Sequence, residues 1–296
     1  MNFLQLRNPV WIRSDNLRDP SVYKSDDGYH LFYSRYSNND WSKPENWAIA
    51  HTFTKDFVHF ENDRDISAKG FASPGDLIRW NGKYILPYQS YPETPTMLCY
   101  SVSEDLVNWS EPVFFLEEAR YLPWNQAKRV IDPTFVVDGS RLHCYFVGTD
   151  CKNYERWTNL LGHAYTDDPE LKKWTITTVD HPLIGPSKEA PDGVENVTVF
   201  RKQDEWIMIY SEGLKEQHLA YAVSSDLIRW ERKGKIDIEA QSWIAVRYGA
   251  PFVWREADNW MMILMGEDKN NHTSFGLLYS EDGIHWQMLK EKDQDI

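Results

Sequence analysis

The sequence predicts an all-β fold: a five-bladed β-propeller with about four antiparallel strands per blade and a funnel at one end of its axis. Three observations carry this expectation. First, a Ser/Thr-x-Asp turn followed by an aromatic recurs five times, in HTFTKDFVHF (51–60), YSVSEDLVNW (100–109), AYTDDPELKKW (164–174), YAVSSDLIRW (221–230) and LYSEDGIHW (278–286). The copies are spaced by roughly 50–60 residues, long for a propeller repeat and in the range of repeat architectures. Second, each copy is preceded by an apolar strand, a turn and an aromatic strand. Third, convincing amphipathic helices are absent. Four strands per unit, repeated radially, make a propeller blade. A parallel solenoid is the rival architecture, but tight hairpin turns imply antiparallel strands.

Each blade has its own justification. Blade 1 (approximately 14–62) contains DPSVYKSDDGYHLFYS (19–34), with its turn at Asp27-Gly28. Blade 2 (72–116) contains GDLIRWNGKYILPYQ (75–89) around Asn81-Gly82. Blade 3 (130–179) contains DPTFVVDGSRLHCYFVG (132–148) around Asp138-Gly139. Asn-Gly and Asp-Gly are the strongest short hairpin signals, because both turn residues need a positive φ. Blade 4 (193–236) contains ENVTVFRKQDEWIMIYS (195–211), and blade 5 (247–290) contains APFVWREADNWMMILMG (250–266). Together they read as one domain over 1–296, without room for an appended second domain.

Alternation sorts residues between the two faces. If each innermost strand starts at the top, the Ser/Thr-x-Asp turns lie at the bottom. Asp56, Asp105, Asp168, Asp226 and Asp282 then read as turn-closing residues whose side chains accept backbone N–H groups. The following aromatics fill the wedges between blades.

Composition narrows the function. The chain carries 32 basic and 45 acidic side chains, a formal charge of −13. A backbone-reading nucleic-acid binder needs a basic footprint, so that class is disfavoured and a neutral or cationic partner fits better. The 14 Trp, 16 Tyr and 13 Phe can build a large core, which excludes disorder. No apolar run reaches the roughly 18–20 residues of a membrane span. The start, MNFLQLRNPVWIRSD, lacks a basic region followed by an apolar core, so a cytoplasmic location is expected. Cys99, Cys144 and Cys151 are odd in number and lack CxxC spacing, which predicts reduced thiols rather than a disulfide framework or a zinc site. His51 and His272 stand alone, and no metal or cofactor is expected.

Chemistry is expected where the innermost strands begin. Asp19 (in NLRDPSV), Asp132 (in VIDPTFV) and Glu195 (in GVENVTV) open three of them, while SPGDL (73–77) and YGAPF (248–252) open the others. A packed throat has no structural need for three inward carboxylates, and crowded like charges raise one another's pKa. Two carboxylates and a modulator suit cleavage of a glycosidic bond, one donating a proton and one activating water or attacking the sugar. The aromatic walls of a sugar pocket are sought in Trp41, Trp47, Trp124, Trp157 and Trp243. Gln89, Asp150, Glu212 and Glu267 end second strands at the top rim, and Asp76 starts blade 2. Arg247 lies before the fifth inner strand, placed to bond vicinal hydroxyls or to neutralise a carboxylate.

The tripeptides Arg18-Asp19-Pro20, Ile131-Asp132-Pro133 and Val194-Glu195-Asn196, at blades 1, 3 and 4, resemble glycoside hydrolase family 43. More broadly they resemble the clan of five-bladed propeller glycosidases that includes family 32. The resemblance covers about residues 10–290. It implies Asp19 as general base, Asp132 as modulator and Glu195 as general acid, with inversion at a terminal bond of an oligosaccharide. An arabinofuranosidase or xylosidase is the favoured type. Two departures matter. Asn196-Val197 replaces the usual Gly-Pro after the Glu, which keeps a non-catalytic carbohydrate-binding propeller as an alternative. Family 32 places an Asn-Asp-Pro-Asn motif in blade 1 and Arg-Asp-Pro later, so a retaining family 32-type glycosidase is the other alternative.

Overall fold

The computed structural model describes residues 3–38, 40–92, 96–151, 157–214 and 216–292. Five antiparallel sheets form the ring, as the repeat predicts. Blade 1 runs Asn16–Lys24, Tyr29–Tyr36, Trp47–Thr54 and Phe60–Asp65 from axis to rim. Blade 2 has a split inner strand, Phe71–Ala72 and Ile78–Trp80, followed by Lys83–Ser90, Leu98–Ser103 and Val113–Phe114. Blade 3 runs Ile131–Asp138, Arg141–Asp150, Thr158–Thr166 and Thr175–Ile176. Blade 4 runs Val194–Lys202, Glu205–Glu212, His218–Ser224 and Glu231–Ile236.

Blade 5 runs Arg247–Glu256, Asn259–Glu267 and Thr273–Ser280. Its fourth position is shared: Trp11–Ile12 pairs with Phe275 and Ser274, and Gln287–Met288 pairs with Tyr279 and Leu278. The blade thus takes a strand from outside 247–290, because a two-residue strand leaves no periodic signal. Asn8, fully buried, clasps the two ends. Its Nδ2 donates to Leu277 O at 2.9 Å, and its Oδ1 accepts the Leu277 N–H at 2.8 Å. Its backbone bonds Lys290 O and the Lys292 N–H, both at 2.8 Å.

Middle strands are covered on both faces by neighbouring blades and are almost wholly buried, as in Leu142–Thr149. Outer strands face solvent, and blade 4 blunts its edge with the charged run Glu231–Lys235. Aromatics fill the wedges as expected. Trp11 stacks on Phe60 with centroids 4.5 Å apart, Phe57 of blade 1 stacks on Trp254 of blade 5 at 5.8 Å, and Phe200 meets Trp260 at 4.5 Å.

The Ser/Thr-x-Asp turns are backbone clasps. In blade 4, Ser224 Oγ accepts the N–H of Asp226 and Leu227, and Asp226 Oδ1 accepts those of Ile228 and Arg229. The same pattern recurs at Thr54/Asp56, Ser103/Asp105 and Ser280/Asp282. Donated N–H groups hold these carboxyls below their usual range, Asp56 down to about 2. None of the described helices is long and apolar enough to cross a membrane.

Candidate active site

Every inner strand breaks at the top with one residue in the left-handed region: Asp19 (φ 50°), Ser73 (52°), Asp132 (52°), Asn196 (46°) and Ala250 (50°). Four of the five precede a proline, which has no N–H to lose from the ladder. In blades 1, 3, 4 and 5 the break is a β-bulge. In blade 1, Arg18 pairs with Ser34 and Ser21 with Phe32, so Asp19 and Pro20 share one opposing residue. Asp and Asn tolerate this conformation best among residues with a Cβ.

This register corrects one expectation. Asn196, not Glu195, occupies the position of Asp19 and Asp132. Glu195 comes one residue earlier, equivalent to Arg18 and Ile131, as the paired shifts show. Strand starts read from sequence do not reveal where a bulge falls.

The three carboxylates nevertheless share one electrostatic environment at the mouth. Asp19 Oδ2 accepts Ser34 Oγ–H at 2.7 Å and Ser73 Oγ–H at 3.2 Å, and its Oδ1 takes no hydrogen bond from a described residue. Glu195 is gripped at both oxygens: Asn159 Nδ2 donates to Oε2 at 3.0 Å, and Gln217 Nε2 donates to Oε1 at 2.8 Å. Asp132 is 8% exposed, and its N–H donates to Gln89 Oε1. Burial pushes the Asp132 carboxyl up, and the charges of Glu195 and Asp19 push it further. Burial also raises Glu195, opposed chiefly by Arg129 and the Gln217 bond. It raises Asp19 against the Ser34 bond and the charge of Arg18.

Gly193 makes the Glu195–Asn159 contact possible. Its φ is +94°, and a Cβ there would lie 1.8 Å from Asn159 O. The inner strand of blade 4 therefore lies directly against the third strand of blade 3. Beneath the carboxylates an axial cavity of about 30 Å³ is lined by Asp19, Ser73, Asp76, Asp132, Thr134 and Phe252, among others. It has room for a water or two.

The other expected residues divide. Asp76 lies in this axial cavity rather than on the rim, and burial raises its carboxyl well above the usual range. Arg247 donates Nε–H to Glu267 Oε2 at 2.6 Å, and its positive charge also reaches Asp19 and Glu195. Trp41 (64% exposed) and Trp157 (49%) are open to solvent.

Trp47, Trp124 and Trp243 are buried and are corrected from wall to packing. Trp47 stacks on Tyr36 with centroids 4.6 Å apart. Trp124 donates Nε1–H to Thr178 O at 2.7 Å and stacks on Phe146. Trp243 lies against Gly266 and Gly276, where any Cβ would collide with its ring. Gln89 is corrected from sugar contact to backbone support for Asp132. Glu212 is buried and bonded to Arg232 and to His218 Nε2 at 3.2 Å, so its oxygens are already engaged. Asp150 ends the second strand of blade 3, paired with Thr158.

Sequence reasoning missed Ser34, Ser73, Asn159, Gln217, Arg18, Arg129 and Tyr91. Ser73, in the SPGDL segment, aligns with Asp19 and Asp132 once the bulge is recognised. The rest depend on cross-strand register or on loops.

Comparison with known proteins agrees with this architecture. The structure resembles a thermostable family-43 glycoside hydrolase, with a TM-score of 0.72, 15% identity, and coverage of 99% of this chain and 98% of that one. It resembles Cellvibrio cellulosa alpha-L-arabinanase complexed with arabinohexaose, with a TM-score of 0.69, 14% identity, and coverage of 94% and 98%. The alpha-L-arabinofuranosidase PaAbf62A from Podospora anserina, in complex with cellotriose, gives 0.65, 12%, 89% and 90%. At these identities the likeness establishes the fold. The family model "Glycosyl hydrolases family 32 N-terminal domain" matches residues 67–248, a span that includes Asp132 and Glu195. Both branches of the clan named from the tripeptides are thus represented. The chain belongs to the family of the glycosyl hydrolase family 32 N-terminal domain, and it is a glycoside hydrolase on a five-bladed propeller.

Proposed function

We propose that the protein cleaves a terminal glycosidic bond of an oligosaccharide by acid/base catalysis, with Glu195 as acid, Asp19 as base and Asp132 as modulator. The observation that carries the proposal is the unequal handling of the carboxylates. Burial raises the Glu195 carboxyl against Arg129 and the Gln217 bond, the direction that suits a group giving a proton to the leaving oxygen, while the amides of Asn159 and Gln217 fix the position of its two oxygens. Asp19 takes both its hydroxyl donors on Oδ2, and its Oδ1 is left for a water molecule. The Asp132 carboxyl, raised by burial and then by the charges of Glu195 and Asp19, is electrostatically tied to both and is assigned the modulator role. Trp41 and Trp157 supply exposed aromatic faces for sugar rings.

Inversion is the outcome we favour, and arabinofuranosides and xylosides head the substrates to try, following the resemblance to family 43. A retaining reaction is the second reading, favoured by the family 32 match, with Asp19 Oδ1 attacking the anomeric carbon. The test is hydrolysis of a panel of aryl glycosides by wild type and Glu195→Gln, with proton NMR of the first-formed anomer. Turnover lost in Glu195→Gln is expected. Equal rates in the two proteins refute the acid assignment, and a retained anomer replaces inversion by the second reading.

A further inference from the structure

Arg18 directly precedes Asp19, and Arg129 lies three residues before Asp132. Both guanidinium groups reach the throat, where Arg18 acts on Asp19 and Arg129 on Asp132 and Glu195. Neither forms an ion pair or donates a hydrogen bond among the described residues, and Arg18 Nε is shut off from solvent without an acceptor. Arg35 and Arg120 also leave an Nε without a hydrogen-bond acceptor, but their other donors are spent on carboxylates, Arg35 on Asp63 and Asp65 and Arg120 on Glu117, and Arg247 pairs with Glu267. Arg129 merely lies over the Trp157 ring, 5.8 Å from its centroid.

Tyr91 completes the group. Its ring meets Trp47 edge-on at 4.7 Å, its hydroxyl has no hydrogen-bond partner among the described residues, and the charges of Arg129 and Arg18, and of Asp19 and Asp132, all act on it. Guanidinium groups present only to neutralise Asp19 and Glu195 would pair with them. Those carboxylates are instead held by neutral donors: Ser34, Ser73, Asn159 and Gln217. Two planar forks and a phenol are left with donors unspent at the throat. Leaving donors unmade is costly, and a carboxylate is the planar acceptor that fits such forks.

We infer that Arg18, Arg129 and Tyr91 form a carboxylate-recognition wall, so that the enzyme acts on acidic oligosaccharides carrying a uronate beside the bond it cuts. This rests on the glycosidase reading of the throat and names its substrate class. The matching sugar acid offsets the two positive charges and occupies donors that a neutral sugar would fill only in part.

The experiment compares a uronate-rich oligosaccharide mixture with the same mixture after carbodiimide activation and borohydride reduction, which turns each carboxylate into a primary alcohol. Wild type is expected to show a kcat/KM about 100-fold or more higher on the acidic form, the discrimination typical of a site left with unpaired polar groups. Arg18→Met and Arg129→Met should each cut that preference about 10-fold or more, chiefly through KM, and Arg→Lys should restore part of it. Thermal melts check that each variant folds. Calorimetric titration with free glucuronate and galacturonate reads binding without turnover. Weaker uronate binding by Arg18→Met supports the wall. Equal rates on acidic and reduced forms overturn it, as do variants that lower both forms alike or uronate binding unaffected by Arg18→Met. If no glycoside at all is hydrolysed, the glycosidase proposal fails instead, and the titration still decides the wall.

Discussion

Replacing Asp132 by Asn removes charge at the most crowded point of the throat while keeping its shape. Asn tolerates the φ of 52° found there, and the backbone N–H to Gln89 is untouched. The Asp132 carboxyl is raised by burial first, then by Glu195 and Asp19. A carboxyl whose folded pKa exceeds its unfolded value supports the fold when protonated. That support is complete below the unfolded value of 3.8 and is lost as pH rises through the folded one. At neutral pH the wild type therefore carries a cost that the Asn variant does not. One pKa unit corresponds to about 1.4 kcal/mol. With the Asp132 carboxyl pushed up from 3.8 to about 8, Asp132→Asn is predicted to be more stable at pH 7 by about 1.4 kcal/mol or more. For a chain of this size that raises Tm by roughly 2–4 °C or more. Near pH 4 the gain should vanish. Activity should move the other way, falling about 100-fold or more as Glu195 loses its modulator. Calorimetric melts at pH 4 and pH 7, beside hydrolysis rates, check both arms. A variant less stable than wild type at pH 7, or equally stabilised at both pH values, would refute the account of crowded carboxyls.

Other outcomes follow from the same geometry. Gln217→Leu removes a bond that lowers the Glu195 pKa, so the alkaline limb of the kcat/KM profile should move to higher pH while the rate falls about 10-fold. Asn8→Ala breaks the clasp between the chain ends and leaves buried backbone groups unmet. We expect a loss of about 2–3 kcal/mol in urea unfolding, with an unchanged sugar preference. Asp226→Ala at the bottom face should cost about 1 kcal/mol of stability and leave kcat/KM unaltered, since its oxygen closes only a turn. Because the turn carboxyls sit below their unfolded values, their support is present above those values and fades as pH falls. Mutating Asp226 should therefore matter less at pH 3 than at pH 7, read by parallel melts.

The −13 charge points to a neutral or cationic partner only as an average over the surface. Locally the throat sets Arg18, Arg129 and Arg247 beside its carboxylates, and a charge sum cannot register that clustering. The loop tryptophans show the same limit. Trp41 and Trp124 look alike in sequence, yet one is open to solvent and the other is sealed between blades. Burial depends on which neighbour arrives, and that neighbour is distant along the chain.

Local chemistry alone determined the blade count, the hairpins and the bottom turns. Asn-Gly and Asp-Gly dictate backbone conformation within a few residues, and Ser/Thr-x-Asp closes its own turn. The mouth positions of Asp19 and Asp132 were also legible, because they open repeat units. Only the tertiary structure decided the rest. A bulge shifts register by one residue, and so Glu195 proved to be equivalent to Arg18 rather than to Asp19. Asn159 and Gln217 reach Glu195 across 36 and 22 residues of chain. Ring closure through Asn8 joins residues more than 260 apart. Cross-strand register and ring closure are non-local, set by the packing of whole blades, and no window of sequence contains them.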